Sequence, residues 1–97
     1  MPEQVEPAAI RKRVIYSGRV QGVGFRATCA YIARNFKVGG SVRNLRDGTV
    51  ELEAEGPPPE VERFLAAVAR EFEGYIHHTT VTDLPPRADT PPLRITY

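Results

Sequence analysis

Cysteine is almost missing from this chain. Cys29 is the only one, so no disulfide can close within the chain and no thiolate metal cluster can form; a reducing, cytoplasmic setting is expected. Tryptophan is absent, and Lys12 and Lys37 are the only lysines among mostly arginine cations. Neither sign of charge is in excess: 13 basic residues face 12 acidic ones, a formal net charge of +1. That balance gives no global pull towards nucleic acid or an anionic membrane, so an anion site has to be built locally. No apolar run approaches the ~20 residues of a membrane span, and the first residues lack the apolar stretch of a secretory signal. Histidine occurs only as His77 and His78. Adjacent strand residues point to opposite faces, so one ion cannot easily take both, and no metal is expected.

What is present suits one small domain. Of 97 residues, 41% are hydrophobic, enough for a single modest core. Met1–Ile10, rich in Pro, Glu and Ala and without periodicity, reads as a loose tail (1–10), leaving 11–97 as the domain. Arg11–Val20 is β-branched and aromatic enough for a strand. Phe25, Cys29, Ile32 and Phe36 then fall on one face of a helix, which Gly39-Gly40 is expected to end as a left-handed cap. Ser41–Leu45 reads as a short strand and Arg46-Asp47-Gly48 as a turn. Thr49–Glu55 alternates, with Val50, Leu52 and Ala54 facing inward and Glu51, Glu53 and Glu55 on an expected solvated face. Prolines after Gly56 open a second helix whose apolar stripe is Val61, Phe64, Leu65, Val68 and Phe72. Tyr75–Leu84 is strand-like, Pro85–Pro92 a loop, and Leu93–Tyr97 a last extended piece. The order predicts an α+β, ferredoxin-like (βαββαβ) fold: an antiparallel sheet, two helices on one face, and a short extra C-terminal strand.

The segment Gly18-Arg19-Val20-Gln21-Gly22-Val23-Gly24-Phe25-Arg26 joins a strand to a helix start. Gly22 and Gly24 let the backbone curl so that successive amides converge on an anion. The helix adds its free N–H groups and positive dipole end, and Arg26 a planar, permanently charged fork. On the residues alone this is either a phosphate cradle or a glycine turn carrying an exposed arginine. It lacks the Gly-Lys-Ser/Thr ending of nucleotide-binding loops. Asn44, at a strand end, serves equally as a turn residue or as an amide that holds and aims a water. Cys29 falls on the apolar helical stripe as core.

That segment resembles the first signature of the acylphosphatase family, and Gly40-Ser41-Val42-Arg43-Asn44-Leu45-Arg46-Asp47-Gly48-Thr49-Val50, closing at Gly56, resembles the second. The resemblance runs from about Val14 to Tyr97. It implies a ferredoxin-like fold and hydrolysis of the carboxyl–phosphate bond of acyl phosphates with no metal or cofactor. It implies that Arg26 and Asn44 are catalytic, and that Gln21, Gly22, Val23, Gly24, Phe25 and Arg26 bind the substrate phosphate. The expected mechanism is in-line attack on phosphorus by a water that Asn44 positions, resting on placement and charge stabilisation. The expected partner is a small acyl phosphate, with no nucleic acid, no membrane and a monomeric chain; Thr49–Glu55 carries none of the aromatics of an RNA-binding sheet. The alternative is a non-catalytic module that binds phosphate or carbamoyl phosphate. Two positions depart from the family pattern: Ser41 stands where an aromatic is usual, and Glu73-Gly74-Tyr75 replaces a Gly-Pro pair after the second helix.

Overall fold

A computed structural model of the chain describes residues 7–97. The elements run β1 (Ile10–Gly18), α1 (Phe25–Ala33), β2 (Gly39–Asn44), β3 (Val50–Gly56), α2 (Pro58–Glu71), β4 (Ile76–Leu84) and β5 (Arg94–Ile95). They build one sheet in the order β4-β1-β3-β2-β5. The first four strands pair antiparallel, and β5 adds to β2 in parallel. This is the ferredoxin-like α+β arrangement that the periodicity predicts. Residues 1–6 of the expected tail lie outside the described residues; Ile10 is already in β1, opposite Gly56.

Register fixes which side chains share a face. Val14 lies across from Leu52 and Leu52 from Val42, while Tyr16, Val50 and Asn44 form the next row. The apolar members of these rows are buried, and Cys29, Val61, Phe64 and Val68 of the helices close over them. Phe25, at the first turn of α1, is 2% exposed and packs its ring 5.0 Å from Tyr16 and 4.3 Å from Phe72. Burying a phenylalanine so completely contributes roughly 2–3 kcal/mol, and here it nails the start of α1 to the core. Asn44 is thus a polar residue at the end of an otherwise apolar row.

Three local expectations change. The helix stops at Ala33 rather than running through Phe36; i→i−3 bonds from Asn35 to Ile32 and from Phe36 to Ala33 carry the chain onward. Phe36 still reaches the core, 6.1 Å from the Phe64 ring. Gly39 and Gly40 do not cap this helix but lie inside β2. Gly40 takes φ 138°, and a side chain there would run into the Glu53 carbonyl, so close strand approach explains the glycine.

The third change concerns Glu51, Glu53 and Glu55, which are not a solvated face. β1 and β2 bring arginines beside them. Arg11 donates to Glu53 Oε1 at 2.7 Å and to Glu55 Oε1 at 2.8 Å; Arg13 pairs with Glu53 and Arg43 with Glu51. The Pro85–Pro92 loop folds over this network. Glu55 accepts the N–H groups of Arg87 and Ala88 at 2.9 Å and the Thr90 hydroxyl at 2.8 Å. Burial opposes the Glu55 charge, yet the Arg87 N–H, the Arg11 guanidinium, the Thr90 hydroxyl and the Ala88 N–H outweigh it and hold the carboxyl down at about 2. Alternation alone cannot show this, because the covering loop has no periodicity.

Candidate active site

The β1–α1 turn curls through two left-handed glycines, Gly22 at φ 77° and Gly24 at φ 78°, a conformation glycine adopts without a Cβ penalty. Gly24 is the N-cap of α1, and no side chain caps the helix there. The first turn also has no acidic residue. The first amide bonded back to the cap is that of Thr28, to Gly24 O at 3.0 Å. The N–H groups of Phe25, Arg26 and Ala27 precede it and have no place in the helical ladder. These three residues, with Gly22 and Gly24, line a cavity of about 150 Å³ from the turn, and Asn44 lines it from β2.

Two polar side chains of this cavity stand apart from the rest of the molecule. Arg26 makes no ion pair among the described residues; its Cζ lies 5.3 Å from the centre of the Tyr97 ring. Asn44 Oδ1 is buried and accepts no hydrogen bond from the described residues. Buried acceptors are normally satisfied, and an orphan costs about 1–3 kcal/mol. Its register explains how it arises: Val50, its cross-strand neighbour, is apolar. An arginine, the uncapped start of a helix and an asparagine with an unsatisfied amide oxygen thus border one small space. This combination suits a phosphoryl group with a water beside it.

Gln21 does something the sequence did not suggest. Its Nε2 donates to the carbonyls of Leu45 at 2.8 Å and Thr49 at 2.9 Å. The side chain therefore ties the glycine turn to the β2–β3 turn that follows Asn44. Gln21 and Val23 stand outside the cavity lining, whereas Gly22, Gly24, Phe25, Arg26 and Asn44 are brought together. Sequence reasoning missed the apolar part of the lining, Val20, Ile95 and Tyr97. Ile95 and Tyr97 arrive through β5, a two-residue strand whose pairing no pattern announces.

Other reactive groups lie elsewhere. Burial pushes the Cys29 thiol up to about 12, which disfavours the thiolate a nucleophile needs. Burial also raises the Tyr16 hydroxyl above its ordinary range, with Cys29 adding to the effect. His77 and His78 are exposed on β4. Among the described residues no group of three His, Cys, Asp or Glu side chains gathers as a metal-ligand set, and no helix is long and apolar enough to cross a membrane. Ser41 pairs with Glu53 while Asn44 pairs with Val50, so the departure at Ser41 sits on the sheet face away from the cavity.

The chain is similar to known proteins in sequence and in fold. The acylphosphatase family model matches residues 12–92. An acylphosphatase of Synechococcus sp. (strain CC9902) is 53% identical over 57 residues, 59% of this chain and 49% of that sequence. One from Bifidobacterium longum (strain NCC 2705) is 43% identical over 79 residues, 78% of this chain and 79% of that one. The crystal structure of acylphosphatase from Bacillus subtilis superposes with a TM-score of 0.82 at 36% identity, covering 91% of this chain and 99% of that chain.

Proposed function

The chain belongs to the acylphosphatase family, and from that premise we propose that it hydrolyses the carboxyl–phosphate bond of acyl phosphates in the Arg26–Asn44 cavity. One observation carries the assignment of roles: Asn44, whose Oδ1 is buried with no hydrogen-bond partner among the described residues, lines the same cavity as Arg26, which makes no ion pair among them. Arg26 and the amides of Phe25 to Ala27 hold the phosphoryl oxygens. Asn44 accepts a hydrogen bond from water and fixes it in line with phosphorus. The water oxygen forms the new P–O bond, the bond from phosphorus to the acyl oxygen breaks, and the electron pair leaves with the carboxylate. The proton of the water passes to a phosphate oxygen, since among the described residues no carboxylate or imidazole side chain lines the cavity.

This site supplies what the reaction needs and little else. A carboxylate is a stable leaving group, of pKa near 4, and requires no general acid. Placement of the nucleophile and stabilisation of charge on the equatorial oxygens are the contributions a preorganised cradle can make. The cavity is complete within one chain, so a monomer acting on a free small molecule suffices. A lone, buried cysteine suits the cytoplasm.

Purified protein is expected to release phosphate from acetyl phosphate, with full activity in excess chelator, and to leave phosphate monoesters nearly untouched because their alkoxide leaving groups need protonation. Phosphate binding without turnover would overturn hydrolysis in favour of a binding module. Activity lost to chelator and restored by a divalent ion would overturn the metal-free mechanism.

A further inference from the structure

The two edges of the sheet are built differently. One ends in β5, two residues long, with Pro91 and Pro92 just before it and Arg94 within it. Short strands, prolines and charges are the usual guards against strand pairing. The other edge is β4, nine residues long and without proline, lysine or arginine. Its residues 77–83 are all exposed, and among the described residues no strand pairs with its outer side. The one irregularity lies at its start, where pairing with β1 skips His77. Over residues 78–84 the register with β1 is continuous.

Hydrogen-bond alternation shows which groups of β4 are free. The Gly40 N–H donates to Pro91 O, and Val42 O accepts from Thr96, so Gly40 and Val42 turn away from β3. In an antiparallel ladder each residue directs its N–H and C=O to one side, and successive residues alternate. Ser41 and Arg43 therefore face Glu53 and Glu51. Leu52 and Ala54 face Val14 and Lys12, and Arg13 and Ile15 face Thr82 and Thr80. That leaves the N–H and C=O groups of Thr79, Val81 and Asp83 directed out of the edge. Val81 stands in the middle of them, 52% exposed.

We propose that β4 pairs antiparallel with the β4 of a second copy of this chain, on a two-fold axis at Val81, joining two five-stranded sheets into one. The strand itself selects the register. Only residues that direct their backbone groups outward can exchange bonds across the seam. An axis at Val81 overlaps the whole regular stretch 78–84: Val81 meets its own copy, and Thr79 meets Asp83 on either side. Three such pairs exchange about six hydrogen bonds. Moving the axis towards His77 brings the skipped residue into the seam. Moving it towards Leu84 brings in Pro85, which has no N–H. The side chains agree with the register. Each exposed Val81 is covered by the other, and Asp83, already paired with Lys12, meets a threonine rather than a second carboxylate. The seam is short, so association is weak and rises with concentration. β2 and β5 lie at the far side of the sheet, so both Arg26–Asn44 cavities stay open and hydrolysis still needs one chain only.

Sedimentation velocity over a wide range of concentration tests the pairing. The wild type is expected to shift from monomer to dimer and no further. Val81→Lys sets two cations face to face and is expected to weaken association at least roughly 5-fold, with an unchanged circular dichroism spectrum. Mild oxidation of Val81→Cys is expected to trap a disulfide-linked dimer, because hydrogen-bonded partners hold their Cα atoms about 5.5 Å apart; Cys29 is fully buried and adds no background. Thr79→Cys, whose partner is Asp83, is expected not to cross-link. A wild type that stays monomeric at every concentration, or that grows beyond the dimer, overturns the proposal. So does Val81→Lys that dimerises as the wild type does. Cross-linking of both cysteine variants alike, or of neither, overturns the axis at Val81.

Discussion

Arg11 and Arg26 carry the same side chain in opposite circumstances. Arg11 is 5% exposed and donates four hydrogen bonds, to Glu53, Glu55 and Thr90, on the loop-covered face of the sheet. Arg26, at the uncapped start of α1, makes no ion pair among the described residues and touches a ring. The acceptors differ in the same way. Glu55 gathers donors from β1 and the covering loop, whereas Asn44 Oδ1 has no donor among the described residues. A polar group whose partners are all protein is committed to the fold. One that the fold leaves unpartnered in a cavity is available to a ligand. The two regions therefore separate stability from activity, and substitutions should divide along that line.

The largest effect is expected at Arg26. Arg26→Ala should lower turnover of acetyl phosphate roughly 10²–10³-fold, the usual loss of one preorganised donor, with weaker phosphate binding lowering kcat/KM further. The urea midpoint should barely move, since among the described residues no ion pair is abandoned and only the contact with the exposed Tyr97 ring is lost. Arg26→Lys should recover only part of the loss, because a point charge does not replace the fork. Near-normal turnover in Arg26→Ala would break the comparison at its active half.

Arg11→Met tests the other half. It leaves Glu53 and Glu55 without their shared guanidinium, and breaking a buried pair from one side costs about 3 kcal/mol. Arg87, Ala88 and Thr90 still serve Glu55, which keeps the loss at the low end. Denaturant melts should show it, with turnover per folded molecule unchanged. A selective loss of turnover would mean that the two faces are coupled.

Asn44→Ala sharpens the contrast within the cavity. A misplaced nucleophile costs about 10²-fold, while Arg26 and the amides still hold phosphate. Turnover should therefore fall far more than affinity for inorganic phosphate, measured as product inhibition. Removing an unsatisfied acceptor should not lower the urea midpoint. An asparagine serving only the Leu45–Gly48 turn would give the reverse: a lower midpoint and normal turnover.

How much of this was legible depends on what positions each residue. The cradle is local in sequence: two glycines, a helix start and an arginine lie within five positions, and their chemistry can be read in order. The β3 alternation likewise gives the core row Val50, Leu52 and Ala54. Asn44 needs register, because only its pairing with Val50 shows that its amide is stranded on the apolar side. The Glu55 network needs the Pro85–Pro92 loop, which carries no period, so alternation read those glutamates as solvated. Tyr97 needs a parallel strand of two residues, too short for any hydrophobic pattern. Local chemistry was visible; contacts made by irregular chain across long separations were not.

The last contrast is one of pH: the Glu55 contribution is present at neutral pH and is lost in acid. The Glu55 carboxyl sits at about 2, well below its ordinary 4.5, because its donors outweigh burial. A carboxyl depressed by folding contributes stability above its unfolded value and loses it as pH falls through the folded one. The contribution from Glu55 is therefore complete above about pH 5 and fades between about 4.5 and 2. Glu53 is also depressed: burial opposes its charge, but the Arg11 and Arg13 hydrogen bonds prevail. Acid unfolding of the wild type thus reports both groups. Glu55→Gln isolates one. The amide does not titrate, and its NH2 group meets the Arg87 and Ala88 donors unfavourably, so the variant starts less stable. The gap between the two urea midpoints should stay constant from pH 7 to about 5 and then narrow steadily towards pH 2.5, as the wild type loses what the variant never had. A gap as wide at pH 2.5 as at pH 7 would show that Glu55 is not held ionised by the covering loop. The loop-covered face would then owe its stability to packing rather than to paired charge.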